Sequence, residues 1–560
     1  MKKSPYLLSL VAAAILGVSA GPATARDDKP KLDRALKHAV SQNGTGSLDV
    51  IIRLVPGAHE GVRARLAAKG HAITGEHASI NALSATVDAG DLADLDRDPS
   101  VASVSLNAVV HAHQTVGSQD AEVTLNVLRP IVGNTARAFG LGVGVAVIDS
   151  GLANVPDLHS QIKAFYDFTI DGTARRKSPS DAYGHGTHIA ATIASTGQQS
   201  GSLYRGIAPG VRLIGLKVLD EFGNGQTSSV INALLFATAN KARLGIDIIN
   251  LSLGHPIYES AATDPLVQAV EAAVHAGIVV VVSAGNYGTN PDTGLPGYGG
   301  ITSPGNAPSA ITVGAVNTSG TLSRSDDVVA PYSSRGPSWV DGFAKPDVVA
   351  PGHRLVADTS NGYLAKSHPG WLYKAPAGSS GTYIRLSGSS MSAAVVSGVV
   401  ALVVEANRTA IEPDGTRMAP LNPYAVKAIL QYTATPLSGD DPLAQGAGEI
   451  NASGAVALTR ALDTRTAPWT VSSLPTSTKF GTETDVWSTN IVWGTMVLQN
   501  LTPDNAVAGA NIVWGTNIVW GTNVVWGTNI VWGTNIVWGT SLVSSDSATS
   551  AASCHMQVCF

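Results

Sequence analysis

Val143-Gly144-Val145-Ala146-Val147-Ile148-Asp149-Ser150-Gly151 decides the fold of this 560-residue chain. The run from Val143 to Ile148 has no polar alternation, which suits a parallel strand buried on both faces, and it ends on an acid. Similar short apolar runs follow at Val211 to Leu219, Ile246 to Leu253, Ile278 to Ser283 and Ile311 to Val316, each set off by a helical or loop segment. Strands that alternate with helices predict an α/β domain with a doubly wound, mostly parallel sheet, expected over 114–462. Open sheets of this kind place their sites outside the carboxyl ends of the strands, where Asp149 sits.

A second stretch, Gly388-Ser389-Ser390-Met391-Ser392, opens the apolar run Ala393 to Val404, which reads as a buried helix. Ser390 falls on its first turn, where N–H groups lack intrahelical partners and the helix dipole is positive. Alone, that serine reads as a helix cap. Upstream lies Gly184-His185-Gly186-Thr187-His188. Acyl transfer by serine needs a base to take the hydroxyl proton and an acid to hold that base in the correct tautomer. Asp149, His185 and Ser390 supply those three groups, each flanked by small residues, and only tertiary structure could assemble them. His188 falls on the same helix face as His185 and reads as structural, with no second ligand nearby to argue for zinc.

Taken together, Val147 to Gly151, Gly184 to His188 and Gly388 to Met391 resemble the three catalytic signatures of the subtilisin-like serine peptidase family, in the same order of acid, base and nucleophile. The resemblance extends over about 115–462. It implies that Asn286, in Ser283-Ala284-Gly285-Asn286, donates its side-chain amide to the oxyanion, with the Ser390 backbone N–H as second donor. It also implies that Ser252-Leu253-Gly254 pairs with extended substrate, that Gly254 and Gly285 line the pocket for the residue before the cut, and that the loops around Gly297 to Gly300 help shape it. Ser303-Pro304-Gly305-Asn306, Tyr332 to Pro337 and Lys345-Pro346-Asp347 continue the likeness. Three neighbours of the nucleophile depart from the family pattern: Ser389 for threonine, Ser392 for alanine and Ala394 for proline. A helix accepts alanine past its first turn better than proline. The chemistry implied is a serine endopeptidase that needs no metal; structural Ca²⁺ is allowed by the resemblance, with no ligands that can be named. An esterase would share the triad, but no Gly-x-Ser-x-Gly elbow frames Ser390.

The remaining segments carry no such chemistry. Met1 to Ala25 has Lys2 and Lys3, an apolar run from Leu7 to Ala20 too short to span a membrane, and Ala23-Thr24-Ala25, the layout of a secretion signal cleaved after Ala25. Residues 46–113, within a segment 26–113, read as a small α+β unit: an extended run Ser47 to Val55, a helix Glu60 to Lys69, strands over Ile73 to Val87, a short helix Ala89 to Leu95 and a strand Val101 to Leu106. Its order and position resemble the inhibitor-type propeptide of that family, whose end near His111-Ala112-His113 would lie along the substrate cleft, giving a mature start near Gln114. After Leu462 the strand and helix pattern stops, and 463–510 reads as linker with a partial repeat at Trp487 and Trp493. Residues 511–540 repeat Asn-Ile-Val-Trp-Gly-Thr five times, with Val524 for one Ile. A six-residue step turns a helical side chain by roughly 240°, scattering the tryptophans, whereas on a strand the even period keeps Ile, Trp and Thr on one face. The tail therefore reads as β in character, either a spacer or a module that self-associates or binds a surface. Residues 541–560 hold both cysteines, Cys554 and Cys559, so the body uses neither a disulfide framework nor a thiol nucleophile.

Composition narrows the partners. With 14% charged residues and a net charge of −5, there is no basic surface for nucleic acid, and 44% hydrophobic content supplies a real core. The expected partners are protein or peptide substrates and the chain's own propeptide. The competing reading is a secreted adhesion protein with an inert peptidase-like scaffold and a binding tail; the presence of all four catalytic groups argues against it.

Overall fold

The computed structural model describes residues 30–42, 46–114, 128–133, 138–291, 293–374, 381–439, 441–465, 470–471 and 475–489. The signal expected over 1–25, the hexad repeat and both cysteines lie outside the described residues.

The N-terminal unit begins with a helix absent from the sequence reading, α1 (Arg34–Ser41), capped by Asp33, whose carboxylate accepts from Leu36 N. Then come β1 (Ser47–Leu54), α2 (His59–Ala68), β2 (Ala72–His77), β3 (Ala82–Asp88), α3 (Leu92–Arg97) and β4 (Val101–Leu106). The four strands form one sheet in the order β2-β3-β1-β4. Val50, Ile52 and Leu54 of β1 pack with Leu36, Val62 and Leu92 beneath the unit's own helices. Ile51 faces the other way, with Ile80 and Ala82, into a core shared with the rest of the chain. Burial on both faces explains why β1 reads as a continuous apolar run, and it fixes the unit to the body. A last strand, β5 (Val109–Ala112), leaves the unit and enters the body.

The main domain is built on β6 (Gly144–Asp149), β7 (Ile162–Asp167), α4 (His185–Ala194), β8 (Arg212–Lys217), β9 (Asn224–Gln226), α5 (Thr227–Ala239), β10 (Ile248–Leu251), β11 (Leu253–Gly254), α6 (Pro265–His275), β12 (Val279–Ser283), β13 (Ile311–Asn317), β14 (Val348–Pro351) and α7 (Ser389–Thr409). Strands β14-β13-β12-β10-β6-β8-β7 lie side by side and all parallel, inside a nine-stranded sheet whose two other members are short antiparallel edge pieces. The chain leaves β6 for β7 and β8 on one side, then crosses to β10 on the other, so Asp149 ends the strand at which the winding reverses. Ile148, Leu216, Leu251 and Val282 face α5 and α6, while Val145, Val147, Val281 and Val313 face α4 and α7. This is the doubly wound sheet expected from the apolar runs. Helix α7 is long and apolar enough to cross a membrane, but 94% of its apolar window is buried inside the domain, so it is a core helix.

The domain does not stop at Leu462. β15 (Ser477–Phe480) and β16 (Glu483–Val486) form a hairpin, and Trp487, 3% exposed, packs edge-on against Tyr432 with its indole N–H donated to Thr478 Oγ1 at 2.8 Å. Arg324 lies over the Phe480 ring, 4.1 Å from its centre. The described part of the expected linker 463–510 is therefore packed structure, and Trp487 is a core residue. Its burial comes from contacts distant in sequence, which a local pattern does not register.

Candidate active site

The Asp-Ser-Gly and Gly-His-Gly stretches meet because neither can carry a side chain at its glycines. A Cβ on Gly186 would run into the Gly151 carbonyl and come within 3.2 Å of the Asp149 Cβ, and one on Gly151 would strike the Ser180 carbonyl. Gly184, at φ +109°, lets the chain turn into α4 so that His185 is its first residue. Asp181 then ties the two pieces together. Its carboxylate accepts from Gly184 N at 2.8 Å, Thr187 N at 2.8 Å and the Ser150 hydroxyl at 2.9 Å. The outcome is Asp149 Oδ1 at 2.8 Å from His185 Nδ1, both side chains fully buried, with Ser150 N donating to the same oxygen at 2.7 Å. The second ring nitrogen, His185 Nε2, is buried without a hydrogen-bond partner among the described residues.

Ser390 stands on the first turn of α7, behind Gly388. Its hydroxyl donates to the Ser252 carbonyl at 3.0 Å, and the Ser252 hydroxyl in turn donates to the Ser390 carbonyl at 3.1 Å. Beside it, Asn286 is gripped by one atom: Oδ1 accepts from both the backbone N and the hydroxyl of Ser389, each at 3.0 Å. The Ser389 hydroxyl also accepts from Gly285 N at 3.1 Å. Asn286 Nδ2 is left buried and unpartnered among the described residues. Gly285, at φ +107°, serves this loop, since a Cβ there would lie 2.8 Å from Ser334 Oγ. Leu253 points into the core under the sheet.

The cleft is occupied by the chain itself. β5 lies antiparallel between β9 and β11, with His111 opposite Asn224 and Gly254, and Ala112 opposite Leu253. His113 N donates to the Ser252 carbonyl at 3.3 Å, the same oxygen that holds the Ser390 hydroxyl. A Cβ placed on Gly388 would strike the His113 carbonyl while standing 3.1 Å from Asn286 Nδ2, so that carbonyl and that amide share one small space. The His113 ring is buried against Gly254, its Nδ1 2.8 Å from Ser283 Oγ. Burial pushes the His113 pKa down to about 3, with His185, His111 and His255 adding to the effect. Gln114 Nε2 donates to Tyr183 Oη at 2.6 Å, and burial pushes that phenol up to about 12.

A model of the subtilase family matches residues 140–450. The chain belongs to the subtilase family. This subtilase is 37% identical over 384 residues to the serine protease AprX of Bacillus subtilis (strain 168), covering 67% of this chain and 79% of that protein. It is 33% identical over 342 residues to subtilisin E of the same organism, covering 61% and 75%. In fold it is similar to the crystal structure of fervidolysin from Fervidobacterium pennivorans, a keratinolytic enzyme related to subtilisin, with a TM-score of 0.57 at 21% identity. That match covers 76% of this chain and 62% of the fervidolysin chain. The protein is a serine endopeptidase of the subtilisin type.

Four features of the site were not read from the sequence: β9 as the second wall of the cleft, Tyr183 at Gln114, the Ser283 hydroxyl at His113, and Ser389 as the clamp on Asn286. A Gly-Asn-Gly turn at 223–225 ahead of α5 is the one local signal that could have marked β9. His188 is buried with Nε2 3.1 Å from the Leu355 carbonyl, and burial pushes its pKa down to about 3. Among the described residues, His71, Asp88 and Asp91 of the N-terminal unit have possible ligand atoms within 4.8 Å of one another. Asp91 is already ion-paired with Lys69 at 2.6 Å, and a histidine with two carboxylates is not the six to eight oxygens that Ca²⁺ takes. The set does not fit calcium.

Proposed function

We propose that Ser390 is the nucleophile, His185 the general base, and Asp149 the acid that orients His185 and stabilises its protonated form. The Asn286 amide and the Ser390 backbone N–H receive the oxyanion. The observation that carries this reading is the seating of 109–114, whose carbonyl at His113 lies beside Asn286 Nδ2 while its N–H shares the Ser252 oxygen with the Ser390 hydroxyl. For attack, the Ser390 hydroxyl turns from Ser252 toward His185 Nε2, the unpartnered acceptor, and gives up its proton as Oγ bonds to the carbonyl carbon. Negative charge then develops where the Asn286 amide and the Ser390 backbone N–H would receive it. His185 returns the proton to the leaving amine, and a water molecule, activated by the same base, releases the acid from Ser390.

The same seating supports residues 26–113 as a propeptide that blocks the cleft as a substrate-like strand until the His113–Gln114 bond is cut. Residues 1–25 would direct export, and the hexad tail would act after it as spacer or surface module. An inert scaffold would have no need of an unpartnered Asn286 amide held beside the His113 carbonyl, nor of a buried His185 nitrogen without a partner. The test is N-terminal sequencing of the chain made in the absence of other proteases. The wild type is expected to begin at Gln114, and Ser390→Ala, equally folded, to keep the residues before it. A start at Gln114 in both would refute self-processing by this site.

A further inference from the structure

Resting on the reading that the bond after His113 is the one cut, the side chain of His113 marks the pocket that receives the residue before a scissile bond. Along this segment Val109 is exposed, Val110 buried among Leu219, Val230 and Leu253, His111 exposed and Ala112 half-buried; the alternation ends at His113, which is only 5% exposed. The wall of that pocket is Gly254, where a Cβ would stand 2.7 Å from the His113 ring. Its floor is polar. Ser283, the last residue of β12 and fully buried, presents its hydroxyl to His113 Nδ1 at 2.8 Å. The other oxygen within reach of that hydroxyl is the Leu251 carbonyl, at 3.5 Å. An apolar side chain in this pocket would leave the Ser283 hydroxyl with that one long contact, and a buried polar group deprived of its partner is costly.

We infer that Ser283 makes this peptidase select histidine at the position before the cut, through a hydrogen bond between the substrate imidazole and the Ser283 hydroxyl. Burial disfavours a proton on the seated ring, and the titratable rings of His185, His111 and His255 around it add to the effect. The ring therefore enters neutral, whereas free histidine in a peptide is half protonated near pH 6.5. Selection for histidine is complete above that pH and is lost as pH falls through it.

The experiment uses quenched peptides containing Val-His-Ala-Xaa-Gln, with Xaa as His, Phe, Leu or Lys, and the processed full-length enzyme. At pH 7.5 the His peptide is expected to have the highest kcat/KM. In Ser283→Ala the ratio of His to Phe falls by about three- to tenfold, the value of one neutral hydrogen bond. In the wild type that ratio also falls by about tenfold between pH 7.5 and 5.5, a readout that cancels titration of the enzyme's own groups and needs no variant to fold. Phe or Leu cut as well as His, with a ratio that moves with neither pH nor Ser283→Ala, overturns the inference while leaving a working peptidase. No cleavage of any peptide by the processed wild type overturns the peptidase assignment of this site, and the inference with it.

Discussion

Replacing Asp149 by asparagine removes a charge while keeping the shape. Oδ1 takes N–H groups from Ser150 at 2.7 Å and from His185 at 2.8 Å, and Oδ2 has no partner among the described residues. The Ser150 N–H accordingly holds the asparagine oxygen, rather than its NH₂, toward His185. The imidazole keeps its proton on Nδ1 and stays the correct tautomer; what is lost is the attraction between a carboxylate and an imidazolium. At 2.8 Å and an effective dielectric of about 20, that attraction is about 6 kcal/mol. In the proposed mechanism it exists only after His185 has taken the Ser390 proton, so it lowers the barrier without tightening substrate binding, and about 6 kcal/mol corresponds to about 10⁴ in rate. The first assay is the rate at which precursor converts to a chain starting at Gln114, expected to fall about 10⁴-fold in Asp149→Asn with an unchanged circular dichroism spectrum. Variant protein cut in trans by an added protease then allows a second, in which kcat on a peptide falls by a similar factor while KM holds. Self-processing within tenfold of the wild type, in a folded variant, would refute this electrostatic role.

Two predictions concern the scaffold. Asp347 binds the ammonium groups of Lys345 at 2.8 Å and Lys427 at 2.9 Å, all three side chains at most 1% exposed, and burial has already pushed Lys427 down to about 7. Asp347→Ala leaves both cations unpaired and should cost about 3–5 kcal/mol in thermal or denaturant unfolding, partly recovered by adding Lys427→Met; a loss under about 1 kcal/mol would sink the argument. Asp358 accepts from the Ser195 hydroxyl at 2.8 Å, yet burial pushes its carboxyl up to about 7. A folded pKa above the unfolded value of 3.8 means that ionisation opposes folding, by an amount that grows from about pH 4 to pH 7 and then levels off. Asp358→Asn should match the wild type in thermal stability at pH 4 and exceed it at pH 8 by something on the order of 4 kcal/mol; curves that stay parallel across that range would contradict this.

What the sequence made legible follows from how local each cause is. The parallel strands were readable because burial on both faces writes itself into consecutive residues, as in Val145 to Ile148 and Val279 to Val282. Their ends were less so. The run Val211 to Leu219 overshoots β8, because Val218 and Leu219 are buried for a different reason, beneath the strand that carries Val110. Helix α1 escaped notice because its one buried apolar residue, Leu36, gives no period to read. The departures around Ser390 also acquire a meaning only in three dimensions. Ser389 uses nothing but its hydroxyl and backbone N to hold Asn286 and Gly285, so the methyl of a threonine is dispensable for that clamp. Ser392 donates to the Ala350 carbonyl at 2.9 Å, and Ala394 is buried in the regular interior of α7. None of the three makes a hydrogen bond with the Ser390 hydroxyl, so they support the helix start and hold Asn286 without entering the proposed proton path. Ser283 is the limiting case. At the end of an apolar strand it reads as ordinary strand punctuation, and it becomes a pocket floor only when His113, 170 residues earlier, is laid across it. Specificity is written in such long-range pairs, and for that reason the signatures that reveal a peptidase do not by themselves reveal what it cuts.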